Sequence, residues 1–395
     1  MTELSPFKEK RLLMVPGPVE VHPRVLRAMS QPMIGHLDPD FVSLLDEILD
    51  MLRRVFQTRG DVIILTGSGT SAMEAAVGNV IERGDKVLSV VSGLFGRRFA
   101  EIARRRGAEV HEMKFPLGSS ADPSKIKEEL ESGEYKALTV VHCETSTGAL
   151  NPIEEIAKAC RDEGVISIVD GITSVGGIDV RTEEWGIDLL VVGSQKCLAA
   201  PPGLAMLSVS ERAWECIENR KEELPDYYLD LLRNKGYMVD RLSPRRTPFT
   251  PGVPALLGLY EALKLIEEEG LENRFERHRI IGEGMRESIK AIGLELFPEE
   301  GAYSNTLTSF KVPEGIEDKE LRGRMKEKYG VIVAGGLEEL TGKIVRIGHM
   351  GISAVPQNVF ATVSALECAL HEMGFKLELG SGISALEDVF LRNNL

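Results

Sequence analysis

Cysteine is scarce in this chain, with five among 395 residues, at positions 143, 160, 197, 216 and 368, and no CxxC pair. So few thiols in so long a chain exclude a disulfide framework and fit a reducing, cytoplasmic compartment. Positive charge is also in deficit: 47 Lys and Arg face 61 Asp and Glu, for a net charge of −14. That balance argues against non-specific nucleic-acid binding, which needs a surplus of cations, but an anionic small substrate stays open where cations gather locally. No basic-then-apolar signal segment opens the chain. The longest apolar stretch, 187–209, is broken by Ser194, Gln195, Lys196 and two prolines, so no membrane span is expected. Internal repeats and low-complexity tracts are absent, and 43% hydrophobic with 27% charged residues describes a globular protein.

The first half alternates short β-branched runs with helical patterns. Strands are expected near 62–66, 86–91, 109–113, 137–142, 165–170 and 189–192, and helices near 70–81, 97–106 and 153–163. This rhythm implies an α/β class with a mainly parallel sheet and ligands at the carboxyl ends of its strands. A proline-rich segment, 243–252, then breaks the pattern before a helix at 255–269 that ends on Gly270. The expected organisation is an N-terminal arm (1–20), a large domain (21–252), a smaller α+β domain (253–378) and an extension (379–395) with a short amphipathic helix at 384–392.

Three stretches carry chemistry. Residues 64–76, ILTGSGTSAMEAA, run from a strand through glycines into a helix, a junction that offers free N–H groups and the Ser68, Thr70 and Ser71 hydroxyls to an anion. An ordinary capped turn would read the same way. The stretch also matches a dinucleotide GxGxxA, yet the next strand ends in Val-Ser-Gly without the acid a ribose requires, which disfavours NAD. The run VISIVD delivers Asp170 to a strand end, where a buried carboxylate needs a partner. Lys196 follows the next apolar run, in GSQKCLAAPPG, where desolvation would make its amine a nucleophile toward a carbonyl. A phosphate cradle, an acid for a pyridine nitrogen and an amine for an aldehyde together describe pyridoxal 5'-phosphate.

The chain resembles the class V aminotransferases of the fold-type I pyridoxal-phosphate enzymes, in particular the alanine–glyoxylate and serine–pyruvate group. The matching blocks are PGP at 16–18, MIGH at 33–36, GSG at 67–69, ETSTG at 144–148, Asp170, GSQK at 193–196 with APPG at 200–203, and RIG at 346–348. The resemblance implies a seven-stranded sheet and a homodimer with shared active sites. It gives Lys196 the covalent bond to the cofactor and Asp170 the pyridine nitrogen. Ser68, Gly69, Thr70 and Gln195 would hold the phosphate, with Thr250 reaching it from the partner subunit. Thr145 would lie near the ring hydroxyl, Phe95 and Ile172 against the ring faces, and Arg346, with Gly17 nearby, would bind the substrate carboxylate. Donor and acceptor would be serine or alanine and glyoxylate or pyruvate.

Two positions depart from the group. Phe95 stands where a Trp is common, and Thr247 where a Tyr commonly reaches the phosphate, with Arg245 or Arg246 as candidates to compensate. A 2-aminoethylphosphonate–pyruvate transaminase is a second reading, with Arg97, Arg98, Arg245 and Arg246 as phosphonate-binding candidates. Broad specificity for aspartate or phosphoserine is a third. A cysteine desulfurase-like lyase would need a mobile loop cysteine, whereas Cys368 falls in a helical pattern. A non-catalytic binding protein is countered by the intact lysine, aspartate and arginine. His36 and His349 are possible pocket residues, but no HxH or HExxH spacing suggests a metal. Cys197, next to Lys196, is expected to point away from it if the chain there is extended.

Overall fold

A computed structural model describes residues 11–242 and 246–395. Seven strands form the central sheet: β1 Asp61–Thr66, β2 Lys86–Val91, β3 Glu109–Lys114, β4 Ala137–Val141, β5 Ile166–Asp170, β6 Leu189–Gly193 and β7 Leu204–Val209. Their spatial order is β1-β7-β6-β5-β4-β2-β3. All neighbours pair in parallel except β7, which is antiparallel to both β1 and β6. The central strands β4, β5 and β6 are buried at every position, as expected of β-branched runs covered on both faces, whereas the edge strand β3 carries the exposed Glu109, His111 and Lys114.

Because β1, β2, β4, β5 and β6 run in one direction, their carboxyl ends share one edge of the sheet. Helix Gly69–Val80 begins just beyond β1, helix Leu94–Arg105 beyond β2, Glu144 and Thr145 beyond β4, Asp170 ends β5, and Lys196 follows β6. This shared edge is what brings residues far apart in sequence to one place.

Helix Val253–Glu269 lies inside the range read from sequence as the small domain, yet Val253, Leu256, Leu259, Ala262, Leu263 and Ile266 belong to the large core. The change of core falls within the next helix: Leu271 still packs against the large core, and the second cluster begins at Ile280. From Ile280 onward, most buried apolar side chains join a second cluster around helices Leu271–Ala291 and Pro356–Glu372 and a three-stranded sheet of Leu307–Lys311, Ile344–Gly348 and Ala334–Gly335. The arm belongs to neither unit alone. Leu12–Leu13 pairs with Val331–Ile332, Met14 O accepts from Gly348 N (2.8 Å), and Val19 N donates to Gln195 O (3.1 Å).

The extension forms helix Ser381–Asn393, which packs on Leu271–Ala291. Gly284 permits the close approach, since a methyl group there would meet Leu386 at 2.6 Å. The buried Glu367 carboxylate fixes the entry to this helix, accepting from Gly380 N (3.0 Å) and Gly382 N (2.7 Å). Loss of a helix-terminal acceptor costs about 1–2 kcal/mol. Glu367→Ala is therefore expected to lower Tm and to admit protease near 381–393 under native conditions. Unchanged proteolysis would show that the helix docks without this carboxylate.

Candidate active site

Lys196 lies in a turn after β6, mostly withdrawn from water, and donates to the carbonyl of Pro16. A methyl group at Gly17 would fall 2.5 Å from the lysine side chain, so glycine is what lets the arm cross here. Burial pushes the ammonium down to about 8, opposed by nearby groups including Asp170 and assisted by Arg346. The amine is thus still mainly protonated near neutral pH, but it gives up its proton far more readily than an ordinary lysine and so reaches the neutral form a nucleophile needs at much lower cost.

Asp170 is buried, and burial pushes its carboxyl up to about 7, with Ile172 N donating to Oδ1 (2.8 Å) in opposition. Lys196 and Arg98 attract the carboxylate without offsetting its burial, and no ion pair to it occurs among the described residues. Ile172 projects toward the helix start: a methyl group at Gly69 would meet its Cδ1 at 2.5 Å, and one at Gly193 would meet both Ile172 and the Gln195 carboxamide. Ile172, Gly69 and Gln195 therefore share one small space. In it, the Ser68 side chain makes no capping hydrogen bond and the buried Gln195 Oε1 has no partner.

Phe95 borders the same space from the start of helix Leu94–Arg105, with the Arg98 guanidinium 4.6 Å from its ring centre. Arg98 Nη1 in turn donates to Thr70 Oγ1 (3.3 Å). Thr145 is buried, its hydroxyl 2.6 Å from that of Thr173, and its carbonyl accepts from Arg346 Nη1 (2.8 Å). Arg346, on the second unit, also donates from Nε to Gly335 O (2.9 Å), and burial pushes it down to about 10. Thr250 is exposed, on a segment tied to the end of β1 by Gly252 N donating to Thr66 Oγ1 (3.2 Å).

These observations test the fit of a phosphorylated pyridine aldehyde. Uncapped donors at a helix start suit a phosphate, an unneutralised buried carboxylate suits a protonated ring nitrogen, and a desolvated amine suits the aldehyde. The residues present fit the group.

Several sequence expectations change. Arg97 is engaged by Glu338 (2.6 Å) and Glu339 (2.9 Å), and Arg246 is buried, donating to Met238 O (2.6 Å) and pairing with Asp46 (2.5 Å), so neither is free to compensate or to bind phosphonate. Arg245 lies outside the described residues. Thr247 is buried with its hydroxyl unpartnered. The chain at Cys197 is a turn rather than extended; its thiol donates to Thr173 O (3.3 Å), and burial pushes it up to about 12. Cys368, by contrast, lies where its helical pattern put it, within helix Pro356–Glu372, so the desulfurase reading lacks its mobile thiol. His349 is fully buried against Thr308 Oγ1 (2.9 Å), and burial pushes it down to about 3, which makes it a neutral packing residue. No group of metal-ligating side chains occurs among the described residues.

Sequence reasoning missed two supports. Glu144 is fully buried and accepts from Phe95 N (3.0 Å), Gly96 N (3.1 Å) and both donors of Ser146, so it seats the aromatic platform at a helix start. Burial raises its carboxyl. Arg274, also buried, donates to Cys197 O (2.6 Å) and Gly176 O (2.7 Å) and is paired with Glu269 (2.7 Å), clamping the turn that carries Lys196. The block ETSTG marked the neighbourhood of Glu144, but nothing local signalled Arg274.

Comparison with known proteins agrees with this geometry. The family model for class-V aminotransferases matches residues 24–350. An aminotransferase of Methanocaldococcus jannaschii is 47% identical over 97% of this chain and 98% of its own. An alanine–glyoxylate aminotransferase of Callithrix jacchus is 36% identical, covering 91% of this chain and 88% of its own. The crystal structure of ureidoglycine–glyoxylate aminotransferase from Bacillus subtilis superposes with a TM-score of 0.93 at 37% identity, covering 98% of this chain and all of that one. Matched by the family model over residues 24–350 and alike over nearly its whole length to such enzymes, this chain belongs to the class-V aminotransferase family.

Proposed function

We propose that this aminotransferase uses pyridoxal 5'-phosphate to move the amino group of serine or alanine to glyoxylate or pyruvate. One observation carries the reading: the Lys196 amine and the Asp170 carboxylate, both perturbed by burial, emerge from adjacent parallel strands beside an uncapped helix start. Bound there, the cofactor would supply an aldehyde that takes up the amino group and a protonated ring that draws electrons from the donor's α-carbon. Ser68, Gly69, Thr70 and Gln195 would hold its phosphate, Asp170 its ring nitrogen, Thr145 its hydroxyl, and Phe95 and Ile172 its two faces. Lys196 would bond to the aldehyde carbon with loss of water, the donor's amine would displace it there, and the freed Nζ would then carry a proton between the donor's α-carbon and that aldehyde carbon. Arg346, with two backbone carbonyls fixing its plane, would orient the substrate carboxylate beside Gly17.

Glyoxylate as acceptor is supported by the names of two of the relatives described above. A homodimer with Thr250 completing the partner's site is supported by the exposed Met33, Leu37, Tyr227 and Leu242, which leave apolar surface to be covered. A cytoplasmic setting is supported by five free cysteines, and no helix among the described residues is long and apolar enough to cross a membrane.

The test is a panel of alanine, serine, aspartate, phosphoserine and 2-aminoethylphosphonate, each with glyoxylate and pyruvate. Serine or alanine with glyoxylate is expected to turn over fastest, and no transfer from any donor would end the proposal. Arg346→Gln is expected to raise the donor KM by about 10- to 100-fold, the value of a buried charge-assisted pair. An unchanged KM would move the carboxylate site elsewhere.

A further inference from the structure

Five arginines lie along helix Leu94–Arg105 and its C-terminal cap, and four are neutralised by carboxylates. Arg97 pairs with Glu338 and Glu339, Arg104 with Glu112, Arg105 with Glu101, and Arg106 with Asp226. Arg98 alone of the five has no carboxylate partner among the described residues. Asp170 attracts Arg98 from a distance without forming an ion pair, which leaves the half-buried guanidinium open to an anion supplied by a ligand.

Its position says where that anion would sit. The Phe95 ring lies 4.6 Å from Cζ, an arrangement that fixes the guanidinium plane. Nη1 reaches Thr70 Oγ1 at 3.3 Å, on the first turn of helix Gly69–Val80, where the exposed Ser68 hydroxyl and the free N–H groups also point. A helix start offers roughly half a positive charge, far less than a phosphate dianion carries. The planar fork of Arg98 adds a full charge at the same place.

We propose that Arg98 is a phosphate-binding residue of the cofactor cradle, donating to the phosphate while its face rests on Phe95. This rests on the cofactor reading given above. It also links the two ends of the cofactor site, since one side chain then holds the anion and braces the aromatic platform.

The experiment uses full-length protein freed of cofactor and titrated separately with pyridoxal 5'-phosphate and with pyridoxal, which lacks the phosphate, following visible absorbance. Arg98→Gln is expected to weaken binding of the phosphorylated form by about 10- to 100-fold and of pyridoxal by less than about threefold, with Arg98→Lys between wild type and Gln. Equal loss for both ligands would reduce Arg98 to packing of Phe95 or to a contact with a second subunit, and would overturn the proposal. Unchanged binding of the phosphorylated form would overturn it too. If wild-type protein bound neither ligand, the cofactor reading itself would fall, and this proposal with it.

Discussion

Replacing Lys196 with alanine is expected to lower amino-transfer turnover by at least about 10⁴-fold, because one nitrogen serves as both nucleophile and proton carrier. The fold should survive, since the lysine's only hydrogen bond among the described residues is to the Pro16 carbonyl and glycine already makes room beside it. Wild-type protein given pyridoxal phosphate and then borohydride should carry the cofactor's mass on the peptide spanning position 196, and the variant none. Covalent capture in wild type should also accelerate as pH rises through about 8, where the buried amine loses its proton. Label on the variant's peptide, or capture that begins only near pH 10.5, the value for an unperturbed lysine, would refute this account of the amine.

Asp170→Asn is expected to reduce turnover by about 10²- to 10³-fold, the usual loss on removing one preorganised electrostatic partner. Its effect on stability should have the opposite sign. A carboxyl whose pKa rises from 3.8 to about 7 on folding binds its proton more tightly in the folded state. Stability from that proton is full below about pH 4 and is lost as pH rises toward 7. The loss is on the order of 4 kcal/mol, at about 1.4 kcal/mol per pKa unit. Cofactor-free Asp170→Asn should therefore be more stable than wild type at pH 8 and nearly equal to it at pH 4, as read by urea denaturation. A bound pyridinium would pair with the aspartate, so adding cofactor should narrow the gap at pH 8. Equal destabilisation at both pH values would mean that the carboxylate is already compensated inside the protein.

The amide and the carboxylate differ by one charge, which shows how a site can hold strain for chemistry. Burial penalises the ionised form, and a cofactor with a protonated ring relieves it. Asp170 and Arg98, neither of them in an ion pair among the described residues, are the charges that the two ends of such a cofactor would meet.

Much of this was legible in the chain itself. Apolar runs ending in Asp170 and preceding Lys196 are strands because period and β-branching act locally, and each strand end follows from where its run stops. Glycines at 67 and 69 mark a turn for the same local reason. The sequence by itself therefore determined a mainly parallel α/β sheet and put an aspartate and a lysine at the ends of consecutive strands. Only the tertiary structure decided which charges are free. Arg97 and Arg246 are indistinguishable in sequence from Arg98, yet carboxylates two hundred or more residues away, at Glu338 and Asp46, neutralise them. Packing likewise assigned helix Val253–Glu269 to the large core, buried Glu144 beneath Phe95 and brought Arg274 to the lysine turn. Charge pairing and burial depend on distances closed through space, whereas secondary structure depends on neighbours along the chain.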